Sequence, residues 1–391
     1  MSKRIYLIAG EASGDALGAK LIQALKKNHT LNLFGIGGER MRQCGLNSLF
    51  PMQELSLLGF IELLPHIPRM LFRIKQTVEH IEKIHPDLII TIDSPGFTGR
   101  VADKLRERKS NIPIVHYVAP TVWAYKPERA LRMSKRCKHL LALLPFEPPY
   151  FDAVGLPCTF VGHPCVEDFQ DQPDFAENIL WRARNNIAED AEILCILPGS
   201  RASELRRLLP IFLQVAERLS RENKNLQLVL PVAAGVEDQV KTILKQQKNN
   251  LPILLLTNPQ EKWQAFKNAR MSLAKSGTVT MELAAAGCPF VMAYRVNPIS
   301  AWMLRRMIKI SHVNLLNIMA KQEFIPECLQ EQCTAESIWQ KLQPLWNDEN
   351  LRHHQKQIFK ELMWKLGAEQ KPTPSERAAS VIERFLTPPS F

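Results

Sequence analysis

The stretch LAKSGTVTMELAAAGCPFVMAYR (273–295) decides the fold. The apolar run Met271 to Ala274 reads as a short strand entering a Ser-Gly-Thr turn, and a helix rich in Ala and Met follows. Gly287 and Pro289 break that helix, and Phe290 to Tyr294 read as a second apolar strand. Strand, glycine turn, helix and strand make one βαβ unit, which sets its turn at the carboxyl edge of a parallel sheet. At that edge Gly277 lets the backbone come close to a ligand, and the hydroxyls of Ser276, Thr278 and Thr280 can cap the helix or donate to an anion. The unpaired N–H groups of the helix N-terminus suit a phosphate. Glu282 stands about one helical turn in, where a carboxylate could accept both hydroxyls of a ribose. This is a nucleotide-shaped site without the P-loop lysine signature. An ordinary buried crossover with a glutamate at its helix start fits the same residues.

The rhythm extends in both directions. Residues 5–9 read as a strand, and GEASGD (10–15) as the loop that launches a helix from Ala16 to Lys26, with Ser13 or Asp15 as its cap. Strands follow at Leu31 to Gly35, Leu88 to Ile92 and Ile114 to Val118. Asp93, in IDSPGF (92–97), stands at a strand's carboxyl end and so points to where ligands bind. In the second half, strand 193–197 runs into the turn PGSR (198–201), which sets Ser200 and Arg201 at the mouth of a helix over 203–222. Strands over 226–231 and 253–256 alternate with helices over 236–248 and 259–268, and helices over 335–346, 350–366 and 374–386 close the chain. Such alternation predicts an α/β protein with two Rossmann-like, doubly wound domains facing each other across a cleft. The domains are placed at 1–170 and 171–366, with a C-terminal helix and tail over 367–391.

With 391 residues, 46% of them apolar, the chain can build two cores of ordinary size. Eight cysteines stand singly with no CxxC pair, which argues for a reducing compartment. Gly162 and Pro164 favour a turn over a zinc site around Cys158, His163 and Cys165. No two aspartates stand at i, i+2, so the common carboxylate motif for a metal–diphosphate complex is missing, and neither metal nor cofactor is expected. The N-terminus passes directly into Ile5-Tyr6-Leu7-Ile8 with no signal peptide, and no run reaches the ~20 apolar residues of a membrane span. A cytoplasmic protein is expected. Its net charge of +11 invites anionic partners.

Three stretches pair apolar residues with cations. They are LSLLGFIELLPHIPRMLFRIK (55–75), broken by Pro65 and Pro68; the basic run Lys126, Arg129, Arg132, Lys135, Arg136 and Lys138 beside Trp123 and Tyr125; and AWMLRRMIKI (301–310). The basic run reads as one helix face, and all three suit a membrane surface, although a core hairpin fits the first equally and a solvated face is the default reading of the second. Cations set among Trp, Met and Leu, with no nucleic-acid module, argue against a nucleic-acid partner.

GEASGD (10–15), IDSPGF (92–97), HYVAPTVWAYK (116–126), LPFE (144–147), VGHP (161–164), LPGSR (197–201), SGTVTMELA (276–284), Tyr294-Arg295 and the 313–331 segment resemble, in order, the motifs of the lipid-A-disaccharide synthases. That resemblance implies an inverting glycosyltransferase of the GT-B fold from a Gram-negative bacterium. It would join UDP-2,3-diacylglucosamine to 2,3-diacylglucosamine 1-phosphate (lipid X) through a β-1′,6 bond and release UDP. It also implies a peripheral protein of the inner membrane surface and a homodimer with exchanged C-terminal segments, the tail otherwise returning to the N-terminal domain. Where the family often reads D-A-P-D-F, this chain has Ser94 and Gly96, so a second carboxylate is gone.

Inversion needs a base on the acceptor side and stabilisation of the leaving diphosphate on the other. Asp93 is the expected base, with Glu11, Ser13 and Asp15 on the acceptor side. Arg201, which can hold phosphate bidentately, is expected at the diphosphate with Ser200, Ser276, Gly277 and Thr278. Glu282 is expected at the ribose, and Arg295, Asn317, Glu323 and Gln330 as further contacts to the donor. Another UDP-sugar enzyme of the same fold, a lipid-linked N-acetylglucosaminyltransferase or a UDP-GlcNAc epimerase, and a non-catalytic lipid- or nucleotide-binding protein are the competing readings.

Overall fold

A computed structural model describes residues 2–56, 67–170, 175–233, 235–246, 251–258, 260–297 and 311–386. The chain divides into two compact units, one of Met1–Pro164 together with the chain from Glu369 onward, the other of Cys165–Ala368.

In the first unit the described strands are β1 (Lys3–Ala9), β2 (Leu31–Ile36), β3 (Asn47–Ser48), β4 (Leu88–Ile92), β5 (Ile114–Tyr117), β6 (His139–Ala142) and β7 (Cys158–Phe160). They pair in the order β3-β2-β1-β4-β5-β6-β7, every neighbouring pair parallel. Ile5 to Ala9 and Leu88 to Ile90 are wholly buried, as expected of strands covered by helices on both faces. The strand order turns back between β1 and β4, whose ends are in register at Ala9 and Ile92. In open α/β sheets that reversal opens a crevice beyond the carboxyl ends of the two strands. The loops launched there begin at Gly10 and Asp93.

The second unit repeats the scheme. Its described strands are β8 (Glu192–Leu197), β9 (Leu226–Pro231), β10 (Ile253–Leu256), β11 (Ala269–Lys275), β12 (Phe290–Tyr294) and β13 (Glu327–Leu329). They lie in the order β10-β9-β8-β11-β12-β13, again all parallel. Here the reversal falls between β8 and β11, with Leu197 opposite Ala274. The turns that leave those two strands are PGSR and SGT. Over the sheet lies the Ala202–Glu222 helix, which buries Leu205, Leu208, Leu209, Phe212, Ala216 and Leu219 at helical spacing.

The closing helix, Pro374–Leu386, packs on the Ala12–Lys26 helix of the first unit and adds Ala378, Val381, Ile382 and Leu386 to its core. Lys27 pairs with Glu376 at 2.7 Å, and Asn28 donates to Glu383 at 2.9 Å along the same seam.

Two local expectations are corrected. The first helix begins at Ala12, four residues before the expected Ala16, so most of GEASGD is helical rather than loop. The basic run over 126–138 is not one helix face: only Arg129–Ser134 is helical, and Arg136 turns away to a two-pronged pair with Asp103 at 2.9 and 2.6 Å. Of the two apolar stretches, 57–66 and 301–310 lie outside the described residues. The part of the first that is described enters the Ile67–Ile84 helix, where Leu71 and Phe72 are exposed and Arg69 and Arg73 both pair with Glu54. Among the described residues no helix is long and apolar enough to cross a membrane.

Candidate active site

The reversal in the second sheet carries a pocket of about 510 Å³, within the usual range for small-molecule sites. Its apolar wall comes from strand ends: Leu197, Pro231, Val232 and Leu256. The polar rim brings together Ser200, Arg201, Gly277, Thr278 and Glu282, five of the residues expected at the UDP-sugar.

Local chemistry builds each turn. Gly199 has φ 122, and a Cβ there would lie 2.3 Å from Glu204 Oε2, so only glycine fits. Glu204 reaches back one turn to accept from the backbone N–H of Ser200 at 3.1 Å and of Arg201 at 3.4 Å. Its other oxygen pairs with Lys275, the last residue of β11, at 3.0 Å. One carboxylate therefore ties the two switch-point turns together. In the second turn Gly277 adopts φ 155, ψ −166, a region that is essentially glycine's own. Thr280 closes the helix start by donating to Gly277 O at 2.8 Å. Thr278, exposed at that N-terminus, lines the pocket.

The rim carries three cations and two carboxylates. Lys275 is committed to Glu204, and Lys262 holds both oxygens of Glu282 at 2.8 and 2.9 Å. Among the described residues no carboxylate pairs with Arg201, which is exposed at the mouth of the pocket. Lys275 Nζ lies 5.8 Å from the centroid of the Tyr294 ring, and burial raises that phenol, Glu204 adding to the rise and Arg201 opposing it. The arrangement offers an anion an uncommitted guanidinium and helix-end N–H groups, and offers a diol a pre-oriented carboxylate. Among the described residues no group of three His, Cys, Asp or Glu is placed to hold a metal ion.

Not every expected residue arrives here. Ser276 sits in the turn but is not part of the pocket wall, and Arg295, Glu323 and Gln330 lie outside it. Glu323 pairs with Lys341 at 3.2 Å, and Gln330 accepts from Val296 N at 3.3 Å. Asn317 requires a correction. It is fully buried, donates to Ile325 O and Glu327 Oε1, both at 2.8 Å, and accepts from Phe324 N and Ile325 N. With all four hydrogen-bonding positions filled inside the protein, it staples the 313–327 segment. Its partner Glu327, 6% exposed, also accepts from Val313 N and Asn314 N.

In the first unit Asp93 and Ser94 follow β4, both with φ 48. Two successive left-handed non-glycine residues cost about 1–3 kcal/mol each and concentrate at functional sites. The Ser94 side chain lies against Gly10, where a Cβ would come within 2.3 Å of its hydroxyl oxygen. The Asp93 carboxylate is half-buried and has no hydrogen-bond partner among the described residues. Glu11 and Ser13 are exposed at the start of the Ala12–Lys26 helix. Asp15 does not cap its own helix and turns inward instead. It is 5% exposed and accepts from Gly38 N, Arg40 N and Met41 N, at 2.8 to 3.0 Å, so it caps the next helix, Glu39–Gln43.

The profile of the lipid-A-disaccharide synthetase family matches residues 5–381, which include both reversal points. Two relatives match at full length. The lipid-A-disaccharide synthase of Rhodospirillum centenum is 44% identical over 98% of this chain and 94% of its own. That of Rickettsia prowazekii is 43% identical over 98% and 99%. The chain belongs to that family. As a lipid-A-disaccharide synthetase family member it is a glycosyltransferase of lipid A biosynthesis. Solved structures agree on the fold. A UDP-GlcNAc 2-epimerase from Neisseria meningitidis bound to UDP-GlcNAc superposes with a TM-score of 0.63 at 13% identity over 99% of each chain. MurG from Acinetobacter baumannii gives 0.56 at 15% over 98% of this chain and 99% of that one. The two parallel sheets are those of a GT-B protein.

Sequence reasoning missed Asn258, Lys262, Lys275 and Glu204 on the pocket wall. Glu204 had a signal, since a glutamate three residues after a helix start marks a capping box. Lys262 had none, because it reaches Glu282 from a separate helix.

Proposed function

We propose that this family member transfers 2,3-diacylglucosamine from UDP-2,3-diacylglucosamine to lipid X, with inversion, and that the pocket at the β8–β11 reversal holds the UDP. One observation carries this reading: an Arg201 unpaired among the described residues, two glycine turns and a pre-oriented Glu282 converge on one cavity. In the displacement, the acceptor's 6-hydroxyl attacks the anomeric carbon, the bond from that carbon to the diphosphate breaks, and the hydroxyl proton passes to Asp93. The diphosphate leaves with the bonding pair, its charge met by Arg201, the Ser200 and Thr278 hydroxyls and the N–H groups of the Thr278–Ala285 helix start. Glu282 accepts the ribose hydroxyls. Asp93 is free to act as a base because no hydrogen bond within the described residues occupies its carboxylate. Incubation of purified protein with both substrates in EDTA should yield the disaccharide 1-phosphate by mass spectrometry. UDP release without lipid X would favour an epimerase or hydrolase instead.

The acyl chains of both substrates call for contact with a membrane. Exposed Leu71 and Phe72 beside exposed Arg69 supply an apolar patch with a cationic rim, suited to reversible docking on the inner membrane. The protein should sediment with vesicles containing anionic lipid and be released by salt; equal binding to neutral vesicles would refute the electrostatic part.

A further inference from the structure

Next to β4 in the first sheet, β5 and β6 end at the same carboxyl edge, and their loops meet through a buried carboxylate. Asp93 N donates to Tyr117 O at 2.9 Å, so the loop after β5 starts beside Asp93. Its first residue, Val118, has φ 83, a genuine outlier for a β-branched side chain. That loop carries Trp123, half-buried, whose ring meets Phe146 edge-on at 5.3 Å. The Trp123 Nε1–H donates to Glu147 Oε1 at 3.3 Å, and Leu144 N donates to Glu147 Oε2 at 3.1 Å. Glu147 is 2% exposed, and no cation pairs with it among the described residues. Burial pushes its carboxyl up to about 7, against the pull of its N–H donors. Cys158 and Asp152 lie in the same neighbourhood, and Glu147 helps to raise the Cys158 thiol. The proposed reaction does not use this group, and a buried carboxylate with hydrogen bonds but no cation beside it is costly to keep.

We propose that the Trp123 indole is a platform for the acceptor's sugar ring beside Asp93, and that Glu147 is the positioning residue that locks it there. The exposed side of an indole held at one edge by a hydrogen bond presents a flat apolar face, which matches the C–H face of a glucosamine ring. The strained Val118 fixes where the loop leaves the sheet, and Phe146 fixes the tilt of the ring. Glutamine at 147 keeps the shape of the side chain but brings one carbonyl oxygen to two converging donors, so the indole loses its fixed edge.

The proposal rests on the acceptor being lipid X, and its deciding test, the indole resonance, is independent of turnover. Full-length protein with 15N-labelled indoles is titrated with lipid X in detergent, the Trp123 Nε1–H resonance being identified by its loss in Trp123→Phe. Lipid X should shift that resonance, while a fatty acid of equal chain length in the same detergent leaves it in place. Glu147→Gln should displace it in the free protein. Trp123→Ala should raise KM for lipid X about tenfold and leave KM for the sugar nucleotide unchanged. A resonance unmoved by saturating lipid X, or moved as far by the fatty acid, overturns the proposal. A protein whose Trp123 responds to lipid X but which forms no disaccharide contradicts the proposed reaction and leaves the platform standing.

Discussion

Replacing Glu282 with alanine separates the binding role of this residue from any structural one. The carboxylate is 22% exposed and is held by Lys262, itself 30% exposed, through contacts of 2.8 and 2.9 Å. A pair this open to solvent contributes about 0–1 kcal/mol to stability, so Tm should fall by no more than about 4 °C. The ribose would lose two hydrogen bonds to a charged acceptor, each worth about 1.5–3 kcal/mol. Lys262, released into partly solvated surroundings, recovers little of that. The net loss is about 3–6 kcal/mol, or roughly 150- to 25,000-fold in the UDP dissociation constant. Isothermal titration with UDP reads this directly, and Glu282→Gln, which keeps one neutral acceptor, should fall between. Because Lys262 already orients the carboxylate, the loss should be in affinity rather than in ordering of the free protein. Unchanged UDP affinity in Glu282→Ala would refute the ribose assignment, whatever happened to turnover.

Asp93→Asn should lower kcat by about 10²- to 10⁴-fold while UDP affinity survives; near-normal turnover would remove Asp93 as the base. Glu147→Gln should change the pH dependence of stability. The folded-state value of Glu147, about 7, lies above its ordinary 4.5, so the group's contribution is fully present below 4.5 and is lost as pH rises through 7. That gap corresponds to about 3 kcal/mol, and the variant should gain on the wild type by up to about 3 kcal/mol between pH 4 and pH 8 in denaturant titrations. A difference between the two that stays constant with pH would show that folding does not raise the Glu147 carboxyl above its unfolded value.

Much of the fold was legible because buried parallel strands read as short apolar runs and the turns between them need glycine. IYLIA, LIITI, FVMAY and their counterparts announce themselves, and Gly199 and Gly277 mark the turns at the reversal in the second sheet. The strand order, which makes those turns a site, is tertiary and was not visible. Asp15 was misread because Glu11-Ala12-Ser13-Gly14 has the composition of a loop, and a helix start four residues earlier turned its carboxylate inward to the next helix. Asn317 was misread because a polar residue in an irregular segment resembles a surface contact; the Glu327 carboxylate that buries it comes from a strand ten residues away. The basic run at 126–138 loses Arg136 to Asp103, which stands 33 positions earlier and carries no signal of the pairing. Glu147 and Trp123 are likewise distant in sequence and joined only by the packing of two loops.

The reversal between β8 and β11 is the proposed seat of the nucleotide, and the reaction proposed for this protein depends on it. A structure of the protein crystallised with UDP tests it most directly. The diphosphate should lie against Arg201, Ser200 and Thr278, with both ribose hydroxyls on Glu282. UDP bound elsewhere, with Arg201 and Glu282 untouched, would contradict it.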